Sequence, residues 1–109
     1  MSPSTQDNQE RYMRTLLRLY LATPGVAGHV RRADRQMARA LYSQKVPLYA
    51  VADAFVVAAA RRIRHNAFST PLPPIQSLHY FRNVIKEMLD RPPGYRDIER
   101  LRDSLRRHY

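Results

Sequence analysis

Cysteine and tryptophan are absent from the 109 residues, and glycine occurs only at positions 25, 28 and 94. Without cysteine there is neither a disulfide framework nor a thiolate metal site. Three scattered glycines make no loop able to cradle a nucleotide phosphate. His29, His65, His79 and His108 are spread along the chain with no HxxxH or Cys/His spacing for zinc. Ser69 and Ser77 have no histidine at a spacing that chance would not supply. These gaps predict a protein that is not an enzyme and has no cofactor or metal.

Long apolar runs are missing too. The longest, Leu48 to Ala60, is interrupted by Asp53 and falls short of the roughly 20 residues a bilayer span needs. The leading segment, MSPSTQDNQE, is polar and lacks the basic-then-apolar order of a secretion signal. Both features predict a cytoplasmic protein without a membrane partner.

Acids are the third shortage. Nine Asp+Glu face 19 Lys+Arg, a formal net charge of +10. Lys45 and Lys86 are the only lysines, so the basic character is carried by arginine. An excess of this kind predicts attraction to polyanions and says nothing about fold.

What is present is helical periodicity around one central stretch, Pro47 to His65. Proline suits the first turn of a helix, where its missing N–H is not needed. From Leu48 to Ala60 nearly every residue is apolar, which predicts a helix buried on all sides, with Ala58, Ala59 and Ala60 allowing close helix–helix packing. Asp53 within it is expected to pair with an arginine or tyrosine of a neighbouring helix. The stretch then ends in cations, Arg61, Arg62, Arg64 and His65.

Before it, Ser4 and Asp7 make a capping pair for a first helix over about Thr5 to Ala22, with Met13, Leu16, Leu17 and Tyr20 on the inner face. Arg11, Arg14 and Arg18 read as a solvated back. Thr23-Pro24-Gly25 ends this helix, and Val26 to Val30 reads as a loop. A second helix is expected over Arg32 to Ser43, with Ala33, Met37, Ala40 and Leu41 inward and Arg32, Arg35 and Arg39 as an outer ridge. Only Gln44, Lys45 and Val46 separate it from the central helix, which predicts antiparallel neighbours. On that geometry Arg31, Arg32 and Arg35 meet Arg61, Arg62 and Arg64 about 20 Å from the turn, in one patch suited to phosphates.

After the central helix, Asn66 to Pro74 is a proline-rich connection from which Phe68 or Leu72 enters the core. A fourth helix follows, from Ile75 or Ser77 to Asp90, with Tyr80 at its core edge and Arg82 on its polar face. Arg91-Pro92-Pro93-Gly94 breaks the chain. The last helix, Tyr95 to about His108, carries Ile98, Leu101 and Leu105 inward. Outward it carries Arg96–Glu99, Glu99–Arg102 and Asp103–Arg107 pairs. Apart from that last pair, the terminal run Arg106-Arg107-His108 is expected to be unpaired. No strand signal or internal repeat is visible. The fold class expected is all-α: one domain over residues 1–109, a compact bundle of about five helices around a buried central helix, with residues 1–4 flexible.

Two motif comparisons bear on function. In ARALYSQKVPLYAVADAF, Ala38 and Leu41 fit the start of a helix-turn-helix, but Tyr42 to Lys45 replaces its glycine turn and the following helix lacks base-reading polar groups. Val51-Ala52-Asp53-Ala54 through Ala58, and later Tyr80, Val84 and Met88, follow another pattern. They resemble the C-terminal domain of the DnaD type, found in bacterial and phage replication-initiation helpers. In that domain one helix carries V/I-x-x-A-x-x-x-A and a later one Y-x-x-x-I-x-x-x-W. Methionine stands here where the family has tryptophan, and the likeness spans about Ala38 to Asp90. It implies DNA binding in support of replication, with the Tyr80 helix and the segment after it close to DNA.

The function expected is therefore binding of nucleic acid, DNA before RNA, in an accessory role in replication, transposition or regulation of a mobile element. The expected contacts are Arg31, Arg32, Arg35, Arg39, Lys45, Arg61, Arg62, Arg64, Tyr80 and Arg82. The alternative is an adaptor that docks an acidic protein through the same basic face, with Pro71 to Pro74 as a further contact.

Overall fold

Five α-helices and one 3₁₀ turn make up the computed structural model, which describes residues 5–65 and 72–108. In chain order they are α1 (Thr5–Ala22), α2 (Arg32–Ser43), α3 (Leu48–His65), the 3₁₀ turn (Leu78–Phe81), α4 (Arg82–Asp90) and α5 (Tyr95–His108). The all-α bundle expected from periodicity is the fold observed. Ser4, Phe68 and Pro71, on which the capping pair, a core contact and a proline surface were placed, lie outside the described residues. Leu72 does not enter the core and is exposed.

α3 is the axis. It packs against α1, α4 and α5, and Ala50, Val51, Ala54, Phe55, Val57, Ala58 and Ala59 are all buried. Its alanines let neighbouring backbones approach on more than one side, as a helix without a polar stripe requires. Where α1, α3 and the 3₁₀ turn meet, Tyr20, Phe55 and Phe81 form an aromatic trio. Phe81 meets Phe55 at 4.8 Å and Tyr20 at 6.1 Å between ring centroids, both edge to face, the arrangement favoured by ring quadrupoles.

One expected contact is not made. α2 does not pack along α3; its buried residues Met37, Ala38 and Leu41 turn toward α1 and the 3₁₀ turn. The cause lies in the three-residue link. The N–H of Lys45 bonds to Tyr42 O and that of Val46 to Leu41 O, a Schellman end to α2. Lys45 takes the left-handed conformation with φ 60°, Val46 is buried, and α3 leaves in a new direction.

The connections flanking α2 are tied by a short parallel bridge. Ile75 N–H donates to Gly25 O at 2.7 Å, and Ala27 N–H donates to Ile75 O at 2.9 Å. Sequence periodicity carries no signal for a single bridge of this kind: Val26 to Val30 reads simply as a loop, and Ile75 or Ser77 as the start of the fourth helix. Helical geometry also begins later than expected before α4. Ser77 caps the 3₁₀ turn by accepting from His79 N–H, so Tyr80 lies in that turn and the α-helix starts at Arg82. Among the described residues no helix is long and apolar enough to cross a membrane.

Candidate nucleic-acid interface

The two N-terminal helices run antiparallel. The Tyr12 ring meets that of Tyr42 edge-on at 5.2 Å, and its hydroxyl donates to Val46 O at 2.7 Å. The start of α1 therefore lies against the end of α2. In such a pair, residues equally far from the middle of the connection face each other. Arg14 stands nearly opposite Arg39 on this count, and Arg18 nearly opposite Arg35. All four line one groove of about 690 Å³ between the helices. Met13, Leu17, Leu21 and Val30 supply its apolar surface.

These arginines are only weakly compensated: Asp34 is turned away, and Glu10 is one acid against four cations. Asp34, on α2, is turned into the protein and 1% exposed. Its Oδ2 accepts from the Arg31 backbone N–H at 2.9 Å, capping α2, and its Oδ1 accepts from the Leu78 N–H at 2.8 Å, anchoring the 3₁₀ turn. Glu10 is the one acid lining the groove, and it accepts from the Gln6 side chain. Among the described residues, no ion pair or hydrogen bond engages the side chains of Arg14, Arg18, Arg32, Arg35 or Arg39. All five are exposed.

The Asp34 carboxylate also acts on the fully buried Tyr20, whose hydroxyl has no hydrogen-bond partner among the described residues. Burial first, and the Asp34 charge second, push the Tyr20 phenol above its ordinary range, with Arg31 opposing.

The cations at the end of α3 have other occupations. Arg61 pairs with Glu87 of α4 at 2.7 Å. Arg62 is half-buried, and its guanidinium donates to Gly25 O at 3.4 Å and to Pro73 O. It clamps the two connections beside their bridge. A side chain at Gly25, which has φ +94°, would meet Arg62 Nη1 at 2.7 Å, so the clamp needs glycine there. Arg64 shares a separate cleft with Arg61, Arg91 and Glu87.

The single patch expected from an α2–α3 hairpin is thus divided, because the hairpin does not pack. Arg32, Arg35 and Arg39 stay together on α2. Arg61 and Arg64 lie on the α3–α4 cleft. Arg31 engages the same two connections that Arg62 clamps, donating to Gln76 Oε1 at 3.2 Å and to His29 Nε2 at 3.3 Å. Lys45 is exposed at the far end of α2, in the turn. Tyr80 is half exposed, its ring edge-on to Phe81 at 5.1 Å. Arg82 lines a groove between α2 and α4 together with Lys86 and His79.

Arg14 and Arg18, expected as a solvated back, are exposed; what the sequence reading did not anticipate is that they line one groove with Arg35 and Arg39. The signal was available in the matched spacing of Arg14/Arg18 and Arg35/Arg39 about the short connection between their helices. On α5, by contrast, charge is largely paired: Arg100 with Asp97 at 2.8 Å, Arg102 with Glu99 at 3.6 Å and Arg106 with Asp103 at 3.2 Å. Arg106 was expected to be unpaired and is not, since the three-residue spacing to Asp103 places both on one face.

Asp53 does find an arginine on a neighbouring helix, Arg102 of α5 at 3.9 Å. Burial raises its carboxyl above the ordinary value, and the long contact with Arg102 only partly opposes this. Among the described residues no three His, Asp or Glu side chains are grouped as a metal site would need. Comparison of the chain with models of protein families, with curated proteins and with solved structures finds no match.

Proposed function

We propose that the protein is a small, non-enzymatic nucleic-acid-binding factor, acting on DNA before RNA, that holds phosphates with the arginines of α1 and α2. The observation that carries this reading is the groove between those helices, where Arg14, Arg18, Arg35 and Arg39 converge without ion-pair partners among the described residues. Arg32 extends the same basic face. Guanidinium groups suit phosphate because they present several donors in a fixed planar fork. Leaving like charges unpaired along two helices costs stability, so a polyanion that neutralises them is a favoured ligand.

Lys45, Arg82 and Tyr80 belong to other surfaces that a long polynucleotide can reach after it is held at this face. Arg61, Arg62 and Arg31 are largely engaged within the protein and contribute less. An accessory role in replication, transposition or regulation of a mobile element agrees with the small size, the basic charge and the DnaD-like spacing of α3 and of Tyr80, Val84 and Met88 across the 3₁₀ turn and α4.

The test is a salt series of binding to DNA of unrelated sequence, followed by fluorescence anisotropy. Four phosphate contacts on duplex DNA give a slope of log K against log salt of about −3.6. Changing Arg14, Arg18, Arg35 and Arg39 to alanine should abolish measurable binding while circular dichroism stays unchanged. Absence of salt-dependent binding by the unaltered protein would overturn the reading. Retention of an acidic protein partner after nuclease treatment would then favour the adaptor alternative.

A further inference from the structure

The shape of the arginine site distinguishes between kinds of nucleic acid. Its charges stand on the two walls of a groove, not on the crest of a projecting helix. A duplex is read by an element that protrudes into its grooves, typically a helix in the major groove. Here the arginines face each other across an apolar surface. Met13 and Val30 are partly exposed, and Leu21 remains 41% exposed. A duplex presents only its sugar–phosphate ridge to such a groove, since its base faces are stacked inside. Laying that ridge over Met13, Leu21 and Val30 would strip water from phosphate oxygens without offering them hydrogen bonds.

A single strand has the complementary layout. Its bases are free to turn onto the apolar surface, removing Leu21 and Val30 from water, while its phosphates reach the rim. Arg14 and Arg18 are one helical turn apart, about 6 Å along α1, and Arg35 and Arg39 repeat the interval on α2. The planar guanidinium groups can also stack on bases that lie between the walls. Gln6 and Gln9 at the open end add neutral donors and acceptors that suit base edges.

From this arrangement we infer that the α1–α2 groove is a binding site for single-stranded polynucleotide, with the bases on the Met13–Leu21–Val30 surface and the phosphates on the four arginines. The inference rests on the nucleic-acid reading above and narrows it to one class of ligand. Charge complementarity sets the occupant: four cations to one acid, Glu10, line the groove.

The experiment compares the full chain on a labelled single-stranded DNA, the same sequence as RNA, and the annealed DNA duplex, across a salt series. The single strands should bind about fivefold or more tightly than the duplex, because their bases cover apolar side chains that a duplex leaves in water. Their salt slope should be about −2.8 for four phosphates, and Arg14→Ala with Arg18→Ala should reduce it by about 1.4. Leu21→Ala, at an already exposed position, should weaken single-strand binding about threefold or more through lost apolar contact. The same change should leave the salt slope and duplex affinity as they were. Equal or tighter binding of the duplex, or indifference of single-strand binding to Leu21→Ala, would overturn the inference and leave the general basic-face reading standing. Binding of neither strand nor duplex would overturn both, and displacement of bound strand by an acidic amphipathic peptide at equal charge would give the groove to a protein helix instead. The comparison of ligands on the unaltered protein needs no variant to fold.

Discussion

A single carboxylate does more to shape the charged surface than any one arginine. Asp34 sits in a run of arginines, where a solvent-facing carboxylate would pair with its neighbours. It is buried instead, joining the start of α2 to the 3₁₀ turn through the N–H groups of Arg31 and Leu78. Asp34→Ala leaves the Leu78 N–H buried without an acceptor and α2 without its cap. The expected loss is about 2–4 kcal/mol in urea unfolding. Tyr12 makes the second telling single-residue contact. Burial pushes its phenol up from 10.0 to about 12. Because the folded value exceeds the unfolded one, the native state holds this proton more firmly. The contribution is intact below about pH 10 and is lost as pH rises through about 12. Tyr12→Phe should cost about 1 kcal/mol at neutral pH through the lost bond to Val46 O. It should also flatten the alkaline fall in stability between pH 10 and 12. The slope should shrink without vanishing, since the Tyr20 phenol is raised in the same direction.

Among the elements, the helices were legible in sequence and their partners were not. The bounds of α1, α2, α3 and α5 follow from apolar spacing and from Pro24, Gly25, Pro47 and Gly94 at or near their ends. The buried character of α3 follows from its missing polar stripe. Which helix packs on which depends on the Lys45 turn, where a lysine adopts a conformation usually given to glycine and redirects the chain. Sequence rules put glycine at such a position, and a lysine there hides the Schellman end of α2. Lys45→Gly should therefore stabilise the protein by up to about 1 kcal/mol, read as a raised unfolding midpoint. A lysine held there mainly for phosphate contact would instead show as weaker DNA binding in the same variant. The Val26–Ile75 bridge and the Arg62 clamp were equally hidden, because they reach residues about 50 and 37 apart and end on backbone carbonyls, which every residue carries.

On the scale of the whole molecule, the +10 charge is unevenly compensated. The α5 face pairs three of its five arginines with acids at three-residue spacing, whereas the groove arginines of α1 and α2 have no ion pair among the described residues, Asp34 pointing inward. Composition predicts attraction to polyanions but cannot say where; that depends on which arginines have acids within reach in three dimensions. Location and charge are separated most directly by two variants of equal net charge. One changes Arg14, Arg18, Arg35 and Arg39 to alanine, the other Arg96, Arg100, Arg106 and Arg107, and each lowers the formal +10 to +6. Binding of both to the same single-stranded DNA would be measured at one salt concentration, beside the unaltered protein. A site on α1 and α2 requires the first variant to lose binding and the second to keep most of it. Equal losses would mean that the DNA responds to net charge alone, and would contradict a specific site in the groove.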